Sequence, residues 1–227
     1  MTSAPDESAD ATLRAQAVAA VRRMDTLGLN RGTTGNLSVR ATAAAGGGMW
    51  ITPTGMDPAE LGADDLVRVG EDGAAHGEWE PSSEWPFHRA IYQVRPDLHA
   101  VVHAHSVGAT AVACLRRPLP AFHYMVAIAG GDSVPCTPYH LFGTEALSLA
   151  VAQAFADRNA CLMANHGLVA GGASLAHAMK VALEIEALCE IYLKALAAGA
   201  PALLSSAEME AVIERFRRYG KARRAAP

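Results

Sequence analysis

The chain has 227 residues, enough for one large domain, and 51% hydrophobic with only 19% charged residues supplies a substantial core. A formal net charge of -4 leaves no electrostatic case for nucleic acid or an anionic membrane as partner, and the one basic cluster, Arg215 to Arg224, reads as a solvated helix end. No apolar run is long enough to span a bilayer, the N-terminus lacks a signal-peptide pattern, and four scattered cysteines (Cys114, Cys136, Cys161, Cys189) without a CxxC read as reduced core thiols, so the expected compartment is the cytoplasm.

Residues 1–11, rich in Ser, Asp, Glu and Ala, have the composition of a disordered leader, with a single domain expected over 12–227. Leu13, Ala17, Val21, Met24 and Leu27 recur at helical spacing up to Gly28, which predicts a first helix over about 12–27. Gly32 to Asn36 forms a turn before a strand at Leu37–Arg40, and Ala43 to Gly48 is a hairpin loop into Met49–Ile51. Thr52-Pro53-Thr54-Gly55 ends that strand, and Leu66–Val69 predicts another, turning at Glu71-Asp72-Gly73. At Ser82-Ser83-Glu84-Trp85-Pro86 a hydroxyl cap, an acid and an early proline announce a helix running to about Gln93.

The run Val101-Val102-His103-Ala104-His105 has the composition of a buried strand, so its two imidazoles, at i and i+2, project to one face. A helix over about 106–115 follows. Phe122–Ile128 and Ser133–Pro135 read as strands around the turn Gly130-Gly131-Asp132. Thr144 caps a helix over about 145–156, and Ala160–Met163 and Leu168–Ala170 are strands flanking Asn165-His166-Gly167. Ser174 opens a long helix to about Ala198, and Ser205 with Glu208 makes a capping box for a last helix to about Tyr219. Helices alternate with strands that also occur in hairpin pairs, which predicts an α/β fold with a mainly antiparallel sheet and helices on its faces.

Two same-face imidazoles in a buried strand need partners for their nitrogens, and one metal ion satisfies both. Adding His166 gives three neutral imidazoles beside the carboxylate of Glu84, the pattern of a catalytic zinc-type site with an open position. His76, His99, His123, His140 and His177 read as ordinary histidines. Ser82 and Ser83 at a helix start, with the turns Gly35-Asn36 and Thr54-Gly55, offer hydroxyl and backbone donors to a phosphate. No GxGxxG, P-loop, GxSxG or CxxC is present, which removes support for nucleotide binding and serine hydrolysis.

Seven blocks, taken in order, resemble the class II aldolase/adducin family: residues 28–40, Ile-Thr-Pro-Thr-Gly (51–55), Pro-Ser-Ser-Glu-Trp (81–85), Val-Val-His-Ala-His (101–105), His-Tyr-Met (123–125), 129–136 and Asn-His-Gly-Leu (165–168). The resemblance runs from about 12 to 220. It implies a three-layer α/β/α domain assembled as a homotetramer with active sites shared between subunits. By the same resemblance His103, His105 and His166 hold Zn2+, with Co2+ or Mn2+ able to replace it, and Glu84 is both a ligand and the acid/base. Gly35, Asn36, Thr54, Gly55, Ser82 and Ser83 would bind substrate phosphate. Tyr124 would reach in from a neighbouring subunit as proton donor, with Phe142, Phe216 and Tyr219 at the aldehyde end and Tyr219 counted among the catalytic residues.

The implied reaction is cleavage of a phosphorylated ketose, L-fuculose 1-phosphate or a related 5-deoxy-ketose 1-phosphate, to dihydroxyacetone phosphate and an aldehyde through a zinc-stabilised enediolate. A sugar-acid phosphate decarboxylase or a methylthioribulose-phosphate-type lyase follows the same logic. A non-enzymatic adducin-like module would have no need of the histidines and Glu84, and a metal hydrolase would need further ligands.

Overall fold

The computed structural model describes residues 4–218. Its strands are β1 (Asn36–Arg40), β2 (Met49–Ile51), β3 (Val67–Val69), β4 (Ala75–His76), β5 (Ala100–Ala104), β6 (Cys136–Thr137), β7 (Ala160–Met163) and β8 (Gly167–Gly172). They form one sheet in the order β4-β3-β2-β1-β5-β8-β7-β6. Every neighbouring pair is antiparallel except β6 with β7. That parallel pair needs a crossover, which helix α4 (Glu145–Phe155) supplies.

The remaining helices are α1 (Ala4–Thr26), α2 (Trp85–Val94), α3 (Val107–Ala113), α5 (Leu175–Ala198) and α6 (Ser206–Arg218). Strand alternation sends Leu37, Val39, Val102, Ala104, Leu168 and Ala170 into a core with α1, α3 and α5. It sends Met49, Ile51, Val101 and Val169 to the other face, under Phe87 and Ile91 of α2 and Leu147 and Val151 of α4. The result is the three-layer α/β/α arrangement with a mainly antiparallel sheet. Among the described residues no helix is long and apolar enough to cross a membrane.

Four local expectations are corrected. The first helix begins at Ala4, so most of the segment expected as a disordered leader is helical. The reason is long-range: Asp10 is 4% exposed and its carboxylate accepts hydrogen bonds from Trp50 Nε1 (2.7 Å), Thr42 N (3.2 Å) and the Thr42 hydroxyl. The segment expected as a strand at 122–128 instead forms a 3-10 helix, Tyr124–Ala129, capped by the His123 side chain and stopped by Gly130 at φ 91. A short, wholly apolar run carries no period that separates strand from helix. Ser133–Pro135 contributes only a bridge, Leu119 with Val134. The cysteines are all free, yet only Cys161 and Cys189 are buried, and Cys114 is exposed. The capping box at Ser205 is present, with Ser205 N donating to Glu208 Oε2 at 2.7 Å and Glu208 N to Ser205 Oγ at 3.3 Å. Tyr219, and half of the basic cluster, lie outside the described residues.

Asp10 generates the first prediction. Asp10→Ala strands the Trp50 and Thr42 donors, so the urea unfolding midpoint should drop by the equivalent of about 1–3 kcal/mol. A midpoint within error of wild type would mean that α1 is not anchored to the β1–β2 hairpin through this carboxylate.

Candidate metal centre

β5 occupies the middle of the sheet and delivers His103 and, one residue past its end, His105 to the α2 face. β8 is its neighbour, and the β7–β8 turn places His166 beside them. The three imidazole centroids are 4.8–4.9 Å apart and the rings are mutually near-perpendicular, at 73°, 80° and 78°. His103 and His105 bring their Nε2 atoms to 2.9 Å. His103 donates its Nδ1–H to the Leu168 carbonyl at 2.9 Å, which leaves Nε2 with a lone pair facing the others.

Glu84 closes the cluster from the N-terminus of α2. It is the N-cap residue, but its side chain makes no capping bond, which frees the carboxylate to reach the sheet. Oε2 lies 3.1 Å from His103 Nε2 and Oε1 3.1 Å from His166 Nε2. Asn36, directly opposite His103 in the β1–β5 register, donates from Nδ2 to Oε2 at 3.0 Å. One donor atom each from Glu84, His103, His105 and His166 fits within 4.8 Å of all the others. Oε1 of Glu84 is buried and makes no hydrogen bond within the described chain. A buried carboxylate facing three converging imidazoles is the donor set that a divalent transition metal takes, so the residues fit such an ion.

Small residues make the approach possible. Gly35 has φ +76, and a Cβ there would meet the Asn30 side chain at 2.4 Å and the His103 carbonyl at 2.7 Å. A Cβ on Gly167 would meet the Ala104 carbonyl at 2.5 Å and the His105 ring at 3.1 Å. The turn before His166 passes through Asn165 at φ 53, a conformation Asn tolerates, and Arg116 Nε donates to its Oδ1 at 2.6 Å. Behind His105, Glu186 of α5 accepts from Ser106 Oγ (2.5 Å), Gly108 N (2.7 Å) and Ala109 N (2.7 Å), capping α3 in place of a local side chain.

Burial raises the pKa of Glu84, but the facing His103 and His166 outweigh it and hold the carboxylate well below its usual range. His105 is pushed down to about 4, first by burial and then by its two imidazole neighbours, which leaves its lone pair free at neutral pH.

The cluster opens into a cavity of about 360 Å³. Of the expected site residues, Gly35, Asn36, Thr54, Gly55, Ser82, Ser83, Glu84, His105, His166 and Phe142 line it, while His103 is fully buried against His105 and His166. The hydroxyls of Thr54 and Ser83 have no partner among the described residues. Tyr124 and Phe216 do not line it in the same chain: Tyr124 is 50% exposed at the start of the 3-10 helix, and Phe216 packs against the α1/α5 core. Sequence reasoning missed Thr33, Thr34, Pro53, Tyr139 and His140 in the wall, and His88 behind Asn36. His140, read as an ordinary histidine, lines the cavity without joining the metal-ligand cluster. The repeated Thr and Pro residues beside the glycine turns were the available signal for the first three.

Residues 15–193 match the family described as Class II Aldolase and Adducin N-terminal domain. The 5-methylthioribulose-1-phosphate/5-deoxyribulose-1-phosphate aldolase of Rhodospirillum rubrum is 48% identical over 208 residues, 92% of either chain. The L-fuculose phosphate aldolase of Escherichia coli is 48% identical over 198 residues, 87% of this chain and 90% of the other. A solved structure of L-fuculose 1-phosphate aldolase superposes with a TM-score of 0.85 at 40% identity, covering 90% of this chain and 95% of that one.

His88 carries the pH prediction. It has no exposed surface, and burial with the nearby His103 lowers its pKa from 6.5 to about 3. The unfolded chain takes up a proton that the fold refuses, so stability is fully present above about pH 6.5 and is lost as the pH falls toward 3. Below about pH 6.5 this residue alone gives a slope that rises toward about 1.4 kcal/mol per pH unit. Urea unfolding of the metal-free protein between pH 7 and 5 should show that slope, and His88→Gln should remove it. An unchanged slope in the variant would mean that the fold accepts a protonated His88.

Proposed function

The chain belongs to the class II aldolase and adducin family and is a class II aldehyde-lyase, from which premise we propose that it cleaves a 1-phosphorylated deoxyketose to dihydroxyacetone phosphate and a short aldehyde. L-Fuculose 1-phosphate and 5-deoxyribulose 1-phosphate are the leading substrates, with 5-methylthioribulose 1-phosphate of the same type. The observation that carries the reading is the three-imidazole, one-carboxylate cluster opening onto a cavity walled by small neutral donors.

His103, His105 and His166 would hold a divalent ion, for which we propose zinc, and that ion would supply the Lewis acid for the negative charge left when a carbon–carbon bond next to a ketone breaks. Glu84 moves the carbon-bound proton, its Oε2 steadied by Asn36. The Thr54 and Ser83 hydroxyls, with Gly35, Asn36, Gly55 and Ser82, hold the phosphate at the N-terminus of α2, where the helix dipole favours an anion. Anchoring that end orients the scissile bond. Among the described residues no Lys or Arg lines the cavity, so an anion there is held by hydroxyls, backbone donors and the helix start. At the mouth, Phe142 (62% exposed) and Tyr139 (52% exposed) present apolar rings suited to a deoxy terminus.

Tyr124 serves as proton donor to the aldehyde oxygen from a neighbouring subunit of a homotetramer, with Phe216 and Tyr219 at the aldehyde end. The support is its exposure and its absence from the cavity wall of its own chain. The protein acts in the cytoplasm.

The metal-loaded enzyme should release dihydroxyacetone phosphate from at least one of the three named ketose phosphates. A chelator should abolish the activity, and a divalent transition metal should restore it. Glu84→Gln should lose about 100-fold or more in turnover while still binding phosphate. Full activity in metal-stripped protein, or carbon dioxide release from a keto-acid in place of aldol cleavage, would overturn the reading.

Mixing the inactive variants Tyr124→Phe and His103→Ala under conditions of subunit exchange tests the shared site. Activity should return, because some interfaces then join an intact metal cluster to an intact tyrosine. Mixed oligomers that form and stay inactive would place the whole site within one chain.

A further inference from the structure

A polar ladder runs between α2 and β1 behind the metal cluster. On α2, Glu84, His88 and Tyr92 are spaced four residues apart, a rise of about 6 Å in a helix. On β1, Asn36 and Ser38 are two residues apart, about 6.7 Å in a strand, so successive rungs stay in step. All five side chains are buried, His88 and Ser38 with no exposed surface at all. Asn36 Nδ2 lies 3.0 Å from Glu84 Oε2, Asn36 Oδ1 2.5 Å from His88 Nε2, and Ser38 Oγ 2.8 Å from His88 Nδ1. The Tyr92 hydroxyl reaches Ser38 Oγ at 3.0 Å and the Ser38 carbonyl at 3.1 Å.

With His88 neutral, donor and acceptor inventories set the direction of the contacts from Glu84 to Ser38. The ionised Glu84 carboxylate only accepts, so Asn36 must turn its NH2 toward it. Its Oδ1 then faces His88, so His88 must carry hydrogen on Nε2. A neutral imidazole with hydrogen there has a bare Nδ1, which takes the hydrogen of the Ser38 hydroxyl, while Tyr92 donates to Ser38. Reversing the chain would set Asn36 Oδ1 against a carboxylate oxygen 3.0 Å away.

We propose that His88 is a positioning residue: as the neutral Nε2–H tautomer it locks the Asn36 amide with its NH2 toward Glu84, and so holds the Glu84 carboxylate against His103 and His166. The proposal rests on the reading of Glu84 as the acid/base. A merely structural polar core would stabilise the fold without caring which way Asn36 faces.

The direct test is the tautomer of His88 in the metal-free protein labelled with 15N-histidine, its signals assigned by their loss in His88→Gln. A protonated Nε2 with a bare Nδ1 at neutral pH is the expected result. An Nδ1–H tautomer or an imidazolium overturns the proposal, and this holds whether or not the protein cleaves any sugar phosphate. Kinetics supply the second arm. His88→Leu removes the donor and should lower kcat by about 10- to 100-fold, the usual scale for an outer partner of a ligand, with KM for the ketose phosphate within about threefold. His88→Gln, whose amide N–H can still donate to Asn36 Oδ1, should recover most of that loss. If Leu and Gln lower stability alike and leave kcat alike, His88 is structural and the proposal fails. Wild-type protein inactive on every ketose phosphate sinks the aldolase reading instead.

Discussion

A carboxylate removed from water stays charged only if its surroundings replace the lost solvation. Glu84 is 7% exposed, is held below its ordinary pKa by the imidazoles of His103 and His166, and accepts a hydrogen bond from the Asn36 amide. Each replacement comes from a different element: β5, the β7–β8 turn, and β1. The register that sets Asn36 opposite His103, the proline-bearing start of α2 and the glycines at 35 and 167 are all conditions for that one charge to sit where it does.

The cavity divides its labour by charge. Its inner end concentrates ionisable groups, while its outer wall is built from Thr, Ser, Asn and Gly at a helix start, with aromatic rings at the rim. An anion at that wall meets partial charges fixed by backbone geometry rather than mobile cations. The two ends therefore place opposite demands on solvent. The inner groups are shielded beneath Phe87 and the sheet, whereas Phe142 and Tyr139 stand in water.

What was legible in the sequence was local. The same-face pair His103 and His105 follows from the period of two in a strand, and the hairpins at 36–51 and 160–172 from turn residues between apolar runs. The strand core, the capping box at Ser205 and the start of the long helix α5 announce themselves within a dozen residues. The ladder partners do not: Ser38 and His88 are 50 residues apart, and neither sits in a motif. Asp10 finds its partners 32 and 40 residues away, which is why a leader-like composition hides a helix. The 3-10 helix at Tyr124–Ala129 escaped because a buried apolar run is silent about its period. The turns and the Ser82-Ser83 pair already pointed to an anion site, while family resemblance supplied the roles of Tyr124 and Phe216, which spacing alone did not.

The Glu186 cap has a consequence for the order of folding. α3 has seven residues, too few to hold together in water on its own. Its first amides are satisfied by a carboxylate 77 and 78 residues downstream, across a loop whose closure carries an entropic cost. A chain growing from its N-terminus can pair β1, β2 and β5 well before Glu186 exists, and His103 with them. His105 leaves the sheet toward a helix that cannot settle until α5 docks. The imidazole at the exit of the strand is therefore among the last parts of the centre to mature, and a nascent chain short of α5 holds an unfinished cage.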